Sequence, residues 1–136
     1  MDRRIARLKA TLDLIEGSES KEYYHRRYQA YRAYRRAADR ATIVDPGDDA
    51  HRELLSHCQD FLNHYELVAV ACRRGLIDAG FYRAWMGETL VRDWNEATLL
   101  VRRACRPQQA SETGNPRAYV EFERLACRWG GKPLRP

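Results

Sequence analysis

The sequence lacks several features that would at once assign it to a class of protein. The 136-residue chain has no apolar run of about 18 residues, so nothing in it predicts a membrane span. The basic residues at the amino terminus are not followed by an apolar stretch, which argues against a secretory signal peptide. Because 44% of the residues are hydrophobic and 32% are charged, we predict a single globular domain over residues 1–136, located in the cytoplasm.

Motifs that carry chemistry are scarce. Cys58, Cys72, Cys105 and Cys127 form no Cys-x-x-Cys pair and no Cys/His zinc pattern, and each lies among apolar residues of a predicted helix. There a free cysteine behaves as a small hydrophobic side chain. A Gly-rich phosphate loop, Gly-x-Ser-x-Gly and His-Glu-x-x-His are absent as well. We therefore expect a protein without a cofactor that is not an enzyme.

The positive charge of the chain comes from one segment. Residues 21–40 contain seven basic and two acidic side chains, whereas the rest of the chain contains seventeen of each sign, so this segment accounts for the whole net charge of +5. Only Lys9, Lys21 and Lys132 of the 24 basic residues are lysines. Arginine suits bidentate contacts with carboxylates and phosphates. The arginine bias extends along the whole chain, however, and carries little information about this segment.

Apolar residues recur at helical spacing along the chain, and no segment alternates as a strand would. We predict an all-α protein, a single-domain bundle of about five helices. The first helix is predicted to end at Gly17, the second to cover residues 20–42, and the last to start at Asn115-Pro116. The apolar face of the first helix is predicted to consist of Ile5, Leu8, Leu12 and Ile15.

The third and fourth helices are predicted to form a central antiparallel αα-hairpin. A turn at residues 45–48 precedes the third helix, Gly75 ends it, and Asp78 caps the fourth helix. So short a connection makes two helices antiparallel neighbours. The fourth helix is predicted to run to about Arg103.

Five stretches of the sequence carry a resemblance to a known family. They are residues 10–15 (ATLDLI), 62–69 (LNHYELVA), 75–78 (GLID), 91–95 (VRDWN) and 122–129 (FERLACRW). In this order and at these spacings the chain resembles a bacterial all-helical family, domain of unknown function 4760. The resemblance implies a helical fold and assigns no reaction or catalytic residue. Some longer members carry a membrane helix before the shared region, a feature that we do not expect here.

A polar stripe on the third predicted helix is the first candidate site. Glu53, His57, Asp60 and His64 are spaced four, three and four residues apart, so they share one face and offer ligand types that metals accept. A single helix rarely encloses a cation, and no second cluster accompanies this one. A solvated helix face is the interpretation we favour, and a metal-dependent enzyme is the alternative.

Asn63 and Glu66 form the second candidate, because they flank the apolar band of the same helix. A partly buried Glu66 needs a partner, which Arg92 or Arg124 could supply. We interpret Asn63, Glu66 and Arg92 as a structural polar clamp between helices. The alternative is a general base with a raised pKa, but no nucleophile or second acid accompanies it.

The basic helix is the third candidate. Its tyrosines have the spacing of a core stripe, which leaves Arg26, Arg32, Arg36 and Arg40 on an exposed face. We expect this face to bind a protein or nucleoprotein partner with an acidic surface. A phage or mobile-element accessory protein, such as an inhibitor of a bacterial defence complex of the anti-CRISPR type, is one concrete form of this function.

Direct nucleic-acid binding is an alternative, because interleaved Tyr and Arg side chains also suit single-stranded nucleic acid. Homodimerisation stays open, since apolar helix faces could remain uncovered.

Overall fold

The computed structural model describes residues 2–19, 49–106 and 115–131, together with the isolated positions Gln29 and Arg32. Within these residues the chain is helical and contains no strand, which confirms the predicted all-α class. The helices are α1 (Arg3–Glu19), α2 (Asp49–Arg73), α3 (Ala79–Leu100), a π-helical turn (Val101–Cys105) and α4 (Val120–Arg128). The predicted second helix lies outside the described residues except for Gln29 and Arg32, which are helical and exposed.

The turn between α2 and α3 has the predicted chemistry. Gly75 adopts φ +67°, which favours glycine, and its N–H donates to Cys72 O while Leu76 N–H donates to Ala71 O. Asp78 then caps α3 by accepting a hydrogen bond from Phe81 N at 3.0 Å. Both helix boundaries predicted here are therefore confirmed.

The packing around this turn does not establish a central hairpin. α2 packs most extensively against α4, whereas α3 contacts α1, α4 and the π-helical turn. Bulky side chains such as Tyr65 and Trp94 are fully buried in the interior beside these helices. The described core is therefore shared among several helices, and α4 is a central partner of both α2 and α3.

Several predicted details of α1 differ from the structure. α1 continues through Gly17 to Glu19, so Gly17 does not end it. Ile15 is buried, but Ile5, Leu8 and Leu12 are exposed. The face that enters the core instead includes Thr11, because this side of α1 lies against the start of α3. A position on the helical stripe is thus not sufficient for burial.

One of the two carboxyl-terminal boundaries differs from the prediction. α3 is α-helical to Leu100 and continues as a π-helical turn to Cys105, with Arg106 N–H donating to Val101 O at 2.9 Å, so the helical path includes the predicted end near Arg103. The last α-helix begins at Val120 rather than at Asn115-Pro116. Asn115 Oδ1 accepts from Arg117 N at 2.9 Å, as an N-cap residue does, but Tyr119 adopts φ +60°, a left-handed conformation that interrupts the path before α4 starts.

The core is built around aromatic contacts between helices. The ring of Phe122 stacks on Tyr65 with a centroid distance of 4.7 Å and meets Trp94 edge-on at 5.1 Å. Leu62, Val68 and Leu90 are fully buried around them. In the part of the chain that the structure describes, no helix is both long and apolar enough to cross a membrane.

Candidate functional site

A buried hydrogen bond joins α2 to α3. Tyr65 Oη donates to Asp93 Oδ2 at 2.5 Å, and both side chains are almost completely buried. Burial raises the pKa of the Asp93 carboxyl, while the bonds from Tyr65 and Arg92 oppose that rise. Arg92 donates to the other oxygen, Asp93 Oδ1, at 3.3 Å through Nε and Nη2. Both carboxylate oxygens therefore have donors, which makes this buried charge tolerable.

Asp93 is the residue that sequence reasoning missed as a site member. It occupies the apolar face of α3, beside Trp94 and in line with Leu90 and Ala97, all of them fully buried. A carboxylate among core positions of a helix signals a buried pair, because it needs a donor on a neighbouring element. Tyr65 has the spacing of an ordinary core aromatic, so the sequence alone does not identify it as that donor.

Glu66 caps the amino terminus of α4 from a different helix. Its Oε1 accepts a hydrogen bond from Phe122 N at 2.7 Å, and Glu121 N also bonds to this carboxylate. Tyr119, the residue at the N-cap position, adopts φ +60° and makes no side-chain cap of its own. The first N–H groups of a helix need acceptors and favour negative charge, and Glu66 supplies both.

Asn63 extends the same contact by one turn of α2. Asn63 Oδ1 accepts from Tyr119 Oη at 3.0 Å, so two polar residues one turn apart on α2 hold the start of α4. Burial raises the pKa of Glu66, whereas its backbone hydrogen bonds lower it. The geometry is that of a clamp between helices.

The predicted composition of this clamp requires a correction. Arg92 belongs to the contact with Asp93, while Glu66 obtains its hydrogen bonds from the backbone of α4. Arg124, the other proposed partner, lies 3.8 Å from Glu121. The physical reason is that an uncapped helix start offers donors that need no side-chain partner. A sequence pattern indicates possible side-chain partners, but it does not show which backbone N–H groups lack an acceptor.

Two ion pairs lie beside the clamp. Arg106 Nη2 is 2.9 Å from Glu123 Oε1, and Nε of the same arginine donates to Ala118 O at 2.9 Å. Arg73 Nε is 3.1 Å from Glu121 Oε2, with the arginine half-exposed. These contacts connect the π-helical turn and the end of α2 to the first turn of α4. The exposed pair contributes little stability, whereas the pair at Arg106 is more enclosed.

A third polar contact ties α1 to the turn before α3. Thr11, which is fully buried, donates to Arg7 O at 2.6 Å and accepts from Asp78 N at 2.8 Å. The hydroxyl therefore satisfies the backbone N–H of the cap residue itself. The bonds Tyr65–Asp93, Glu66–Phe122 and Thr11–Asp78 each join two of the five sequence stretches that carry the family resemblance.

The predicted metal stripe is only partly described. His57, Asp60 and His64 are each partly buried on α2, and the side chain of Glu53 lies outside the described residues. Among the residues that the structure describes, no three His, Cys, Asp or Glu side chains come together in a group that could hold a metal ion. Burial lowers the pKa of His64, which favours the neutral imidazole.

The cysteine thiols are buried or partly buried. Burial raises the pKa of Cys58 to about 12 and those of Cys72 and Cys105 to about 11. A reactive cysteine needs a lowered pKa, because the thiolate is the nucleophile. All four cysteines are free thiols in this structure.

A groove of about 490 Å³ runs along α3 on the side that faces the end of α4. Arg83, Val91 and Arg92 line it together with Trp129. The guanidinium carbon of Arg83 lies 5.7 Å from the centroid of the Trp129 ring, a cation–π contact. The groove carries basic, acidic and aromatic side chains but no assembled catalytic group.

The predicted partner-binding face is described at one position only. Arg32 is helical and exposed, while Arg26, Arg36 and Arg40 lie outside the described residues. The described residues therefore do not show whether the four arginines share one face.

Comparison with known proteins adds one finding. Searches of curated proteins and of solved structures give no significant match. A family model does match, over residues 1–129, and its description is domain of unknown function (DUF4760). This region includes every polar contact described above. The chain therefore belongs to the DUF4760 family, as the five stretches of its sequence predicted.

Proposed function

We propose that this chain is a non-enzymatic helical module that binds a macromolecular partner with an acidic surface through residues 21–40. The observation that carries the proposal is the charge distribution, since this segment holds the entire net charge of +5. Arg26, Arg32, Arg36 and Arg40 are the proposed contact residues, and Arg32 is exposed. Complementary charge of this kind steers association and selects partners.

The described polar groups support a scaffold role for the rest of the molecule. Among the residues that the structure describes, Asp93 and Glu66 are the carboxyls whose pKa is raised by burial, and both hydrogen-bond to groups that hold helices together. A general base in an active site would instead face a substrate within hydrogen-bond reach. We propose a bundle of five helices with a central hairpin over residues 1–136, acting in the cytoplasm.

A concrete form of this function is inhibition of a bacterial defence nucleoprotein complex by a phage or mobile-element protein. Such an inhibitor needs no chemistry of its own and acts by occupying a surface. The first experiment is therefore a pull-down from bacterial lysate with the full chain as bait, with and without nuclease. We expect stoichiometric capture of a protein that survives nuclease treatment. Capture that disappears with nuclease would contradict a protein contact.

Titration with labelled single- and double-stranded oligonucleotides tests the alternative that the chain binds nucleic acid directly. Phosphate contacts release counterions, so such binding weakens steeply as salt rises. We expect no binding at physiological salt. Tight binding with a steep salt dependence would replace the protein partner by nucleic acid.

Metal analysis of the purified chain tests the remaining alternative, an enzyme that uses the face of Glu53, His57, Asp60 and His64. We expect no stoichiometric ion. One bound ion per chain, lost together in His57→Ala and His64→Ala variants, would contradict the non-enzymatic proposal.

A further inference from the structure

One largely exposed stripe runs along the whole of α3. Phe81, Trp85, Glu88, Arg92 and Glu96 follow one another at intervals of four, three, four and four residues. This spacing places them on a single face of the helix, which we call the α3 stripe. Among the large apolar side chains that the structure describes, Trp85 is the most exposed, at 63%, and Phe81 is also exposed.

An exposed tryptophan on a rigid helix is a strong candidate for a binding contact. Tryptophan is enriched among the residues that dominate binding energies, because it buries a large area with few rotatable bonds. Here the aromatic end of the stripe is followed over the next three turns by charged residues of both signs, Glu88, Arg92 and Glu96. A partner for this face must therefore offer both charges and a surface that covers an aromatic ring.

A second copy of the same stripe meets these requirements. Glu88 and Arg92 are one helical turn apart, with Leu90 midway between them. If two copies of α3 pack antiparallel about a two-fold axis at the level of Leu90, Glu88 of each copy lies level with Arg92 of the other. The same rotation brings Trp85 of each copy level with Asn95 of the other, between Arg92 and Glu96. Closed two-fold interfaces require such self-complementary patches.

The chemistry at each of these positions is favourable. The guanidinium of Arg92 binds Asp93 within its own chain through Nε and Nη2, and an arginine has five N–H donors in all. The side chain of Arg92 is 51% exposed, which leaves it within reach of a second molecule. A guanidinium and its aliphatic stem also suit the face of a tryptophan ring.

We propose that the α3 stripe is an interface between two copies of this chain, with Glu88 and Arg92 paired across the two-fold axis and Trp85 covered by the other copy. This surface is distinct from the basic segment of residues 21–40. The dimer would present two basic segments to a partner. Failure of either proposal leaves the other standing.

The mass of the full chain in solution tests this proposal directly. Size-exclusion chromatography with light scattering, from micromolar to millimolar chain concentration, is expected to give twice the 15.9 kDa of one chain. We expect Trp85→Ala to weaken dimerisation about tenfold or more, because tryptophan is enriched among the residues that dominate binding energies. Leu76→Ala is the matched control, because Leu76 is 60% exposed and lies outside the stripe. It should leave the mass unchanged.

Mixing of charge variants tests the pairing itself. Glu88→Arg alone places arginines opposite each other, and Arg92→Glu alone places glutamates opposite each other, so each variant should be monomeric. An equimolar mixture of the two restores both ion pairs and should form a heterodimer. Circular dichroism verifies that each variant is folded. Should Arg92→Glu unfold because it adjoins Asp93, the comparison of Trp85→Ala with Leu76→Ala decides alone.

Three results would overturn the proposal. The first is a wild-type chain that stays monomeric at every concentration. The second is a dimer that Trp85→Ala does not weaken. The third is a pair of folded charge variants that do not associate when mixed. A monomeric chain would indicate that a different protein covers the α3 stripe.

Discussion

Tyr65 and Asp93 are joined by a hydrogen bond of 2.5 Å in the buried interior between α2 and α3. A second buried tyrosine, Tyr82, offers a direct contrast. Its hydroxyl is buried and has no hydrogen-bond partner among the described residues. The two tyrosines are therefore similarly buried, but only the hydroxyl of Tyr65 is hydrogen-bonded. Comparing them distinguishes the stability contributed by the hydrogen bond from that contributed by burial of the ring.

This contrast predicts the effects of removing each hydroxyl. Tyr65→Phe leaves Asp93 with one donor fewer in the core and is expected to lower the free energy of unfolding by about 1–3 kcal/mol. Tyr82→Phe removes a hydroxyl that makes no such bond and is expected to be neutral or stabilising. Urea unfolding followed by circular dichroism measures both. Equal destabilisation by the two variants would contradict the importance of the Tyr65–Asp93 bond.

Because Glu66 caps α4, substitutions of Glu66 are expected to lower the free energy of unfolding by different amounts. Glu66→Ala removes the acceptor of Phe122 N and is expected to cost about 0.5–2 kcal/mol, the range for N-cap residues. Glu66→Gln keeps an oxygen acceptor and should cost less than Glu66→Ala. Glu16→Ala on the exposed face of α1 serves as the control and should change stability by less than about 0.5 kcal/mol. A fully stable Glu66→Ala variant would exclude the clamp.

Asp93 predicts a specific pH dependence. Because folding raises the pKa of Asp93, its contribution to stability is fully present below the ordinary value of 3.8 and is lost as the pH rises through the folded-state pKa. Asp93→Asn abolishes this titration. The free energy of unfolding of the variant, relative to wild type, should therefore rise as the pH increases above 3.8. A difference that falls with pH would contradict a raised pKa.

Two glycines predict opposite responses to the same substitution. A Cβ atom at Gly131 would lie 2.9 Å from Ala126 O, so Gly131→Ala is expected to cost about 1–3 kcal/mol through overpacking. Gly17 lies within α1, and a Cβ atom there would meet no other atom within 4 Å, so Gly17→Ala should stabilise the chain by about 0.5–1 kcal/mol. Thermal unfolding of both variants measures the two signs. Destabilisation by Gly17→Ala would indicate that α1 does not include this position.

The parts of the fold that sequence reasoning predicts correctly are those specified by local chemistry. Gly75 and Asp78 end one helix and begin the next as expected, because each requires only its neighbours in the chain. The helix start predicted at Asn115-Pro116 is wrong: Asn115 accepts the capping bond from Arg117 N, but the left-handed Tyr119 interrupts the path and the helix begins at Val120. Local signals therefore predict a helix boundary where neighbouring residues alone determine the backbone, and they fail where a single residue such as Tyr119 takes an unusual conformation.

The parts that sequence reasoning misses depend on contacts between distant segments. Asn63 and Glu66 are recognisable as a polar pair, but their partner, the start of α4, is 56 residues away. Ile5 and Leu8 follow a helical apolar stripe and are nevertheless exposed, because burial depends on which side of α1 meets the other helices. Tertiary packing determines which side of a helix is buried, and the spacing of apolar residues alone does not predict that packing.

The central claim, binding through the basic segment, is tested most directly by charge reversal. The combined substitution of Arg26, Arg32, Arg36 and Arg40 by Glu is compared with the same substitution of Arg3, Arg4, Arg74 and Arg117, which are exposed elsewhere. Both variants change the net charge equally, so only the position of the charge differs. We predict that the affinity for the captured partner is lost in the first variant and largely kept in the second. Equal affinity of the first variant and the wild-type chain would contradict the account.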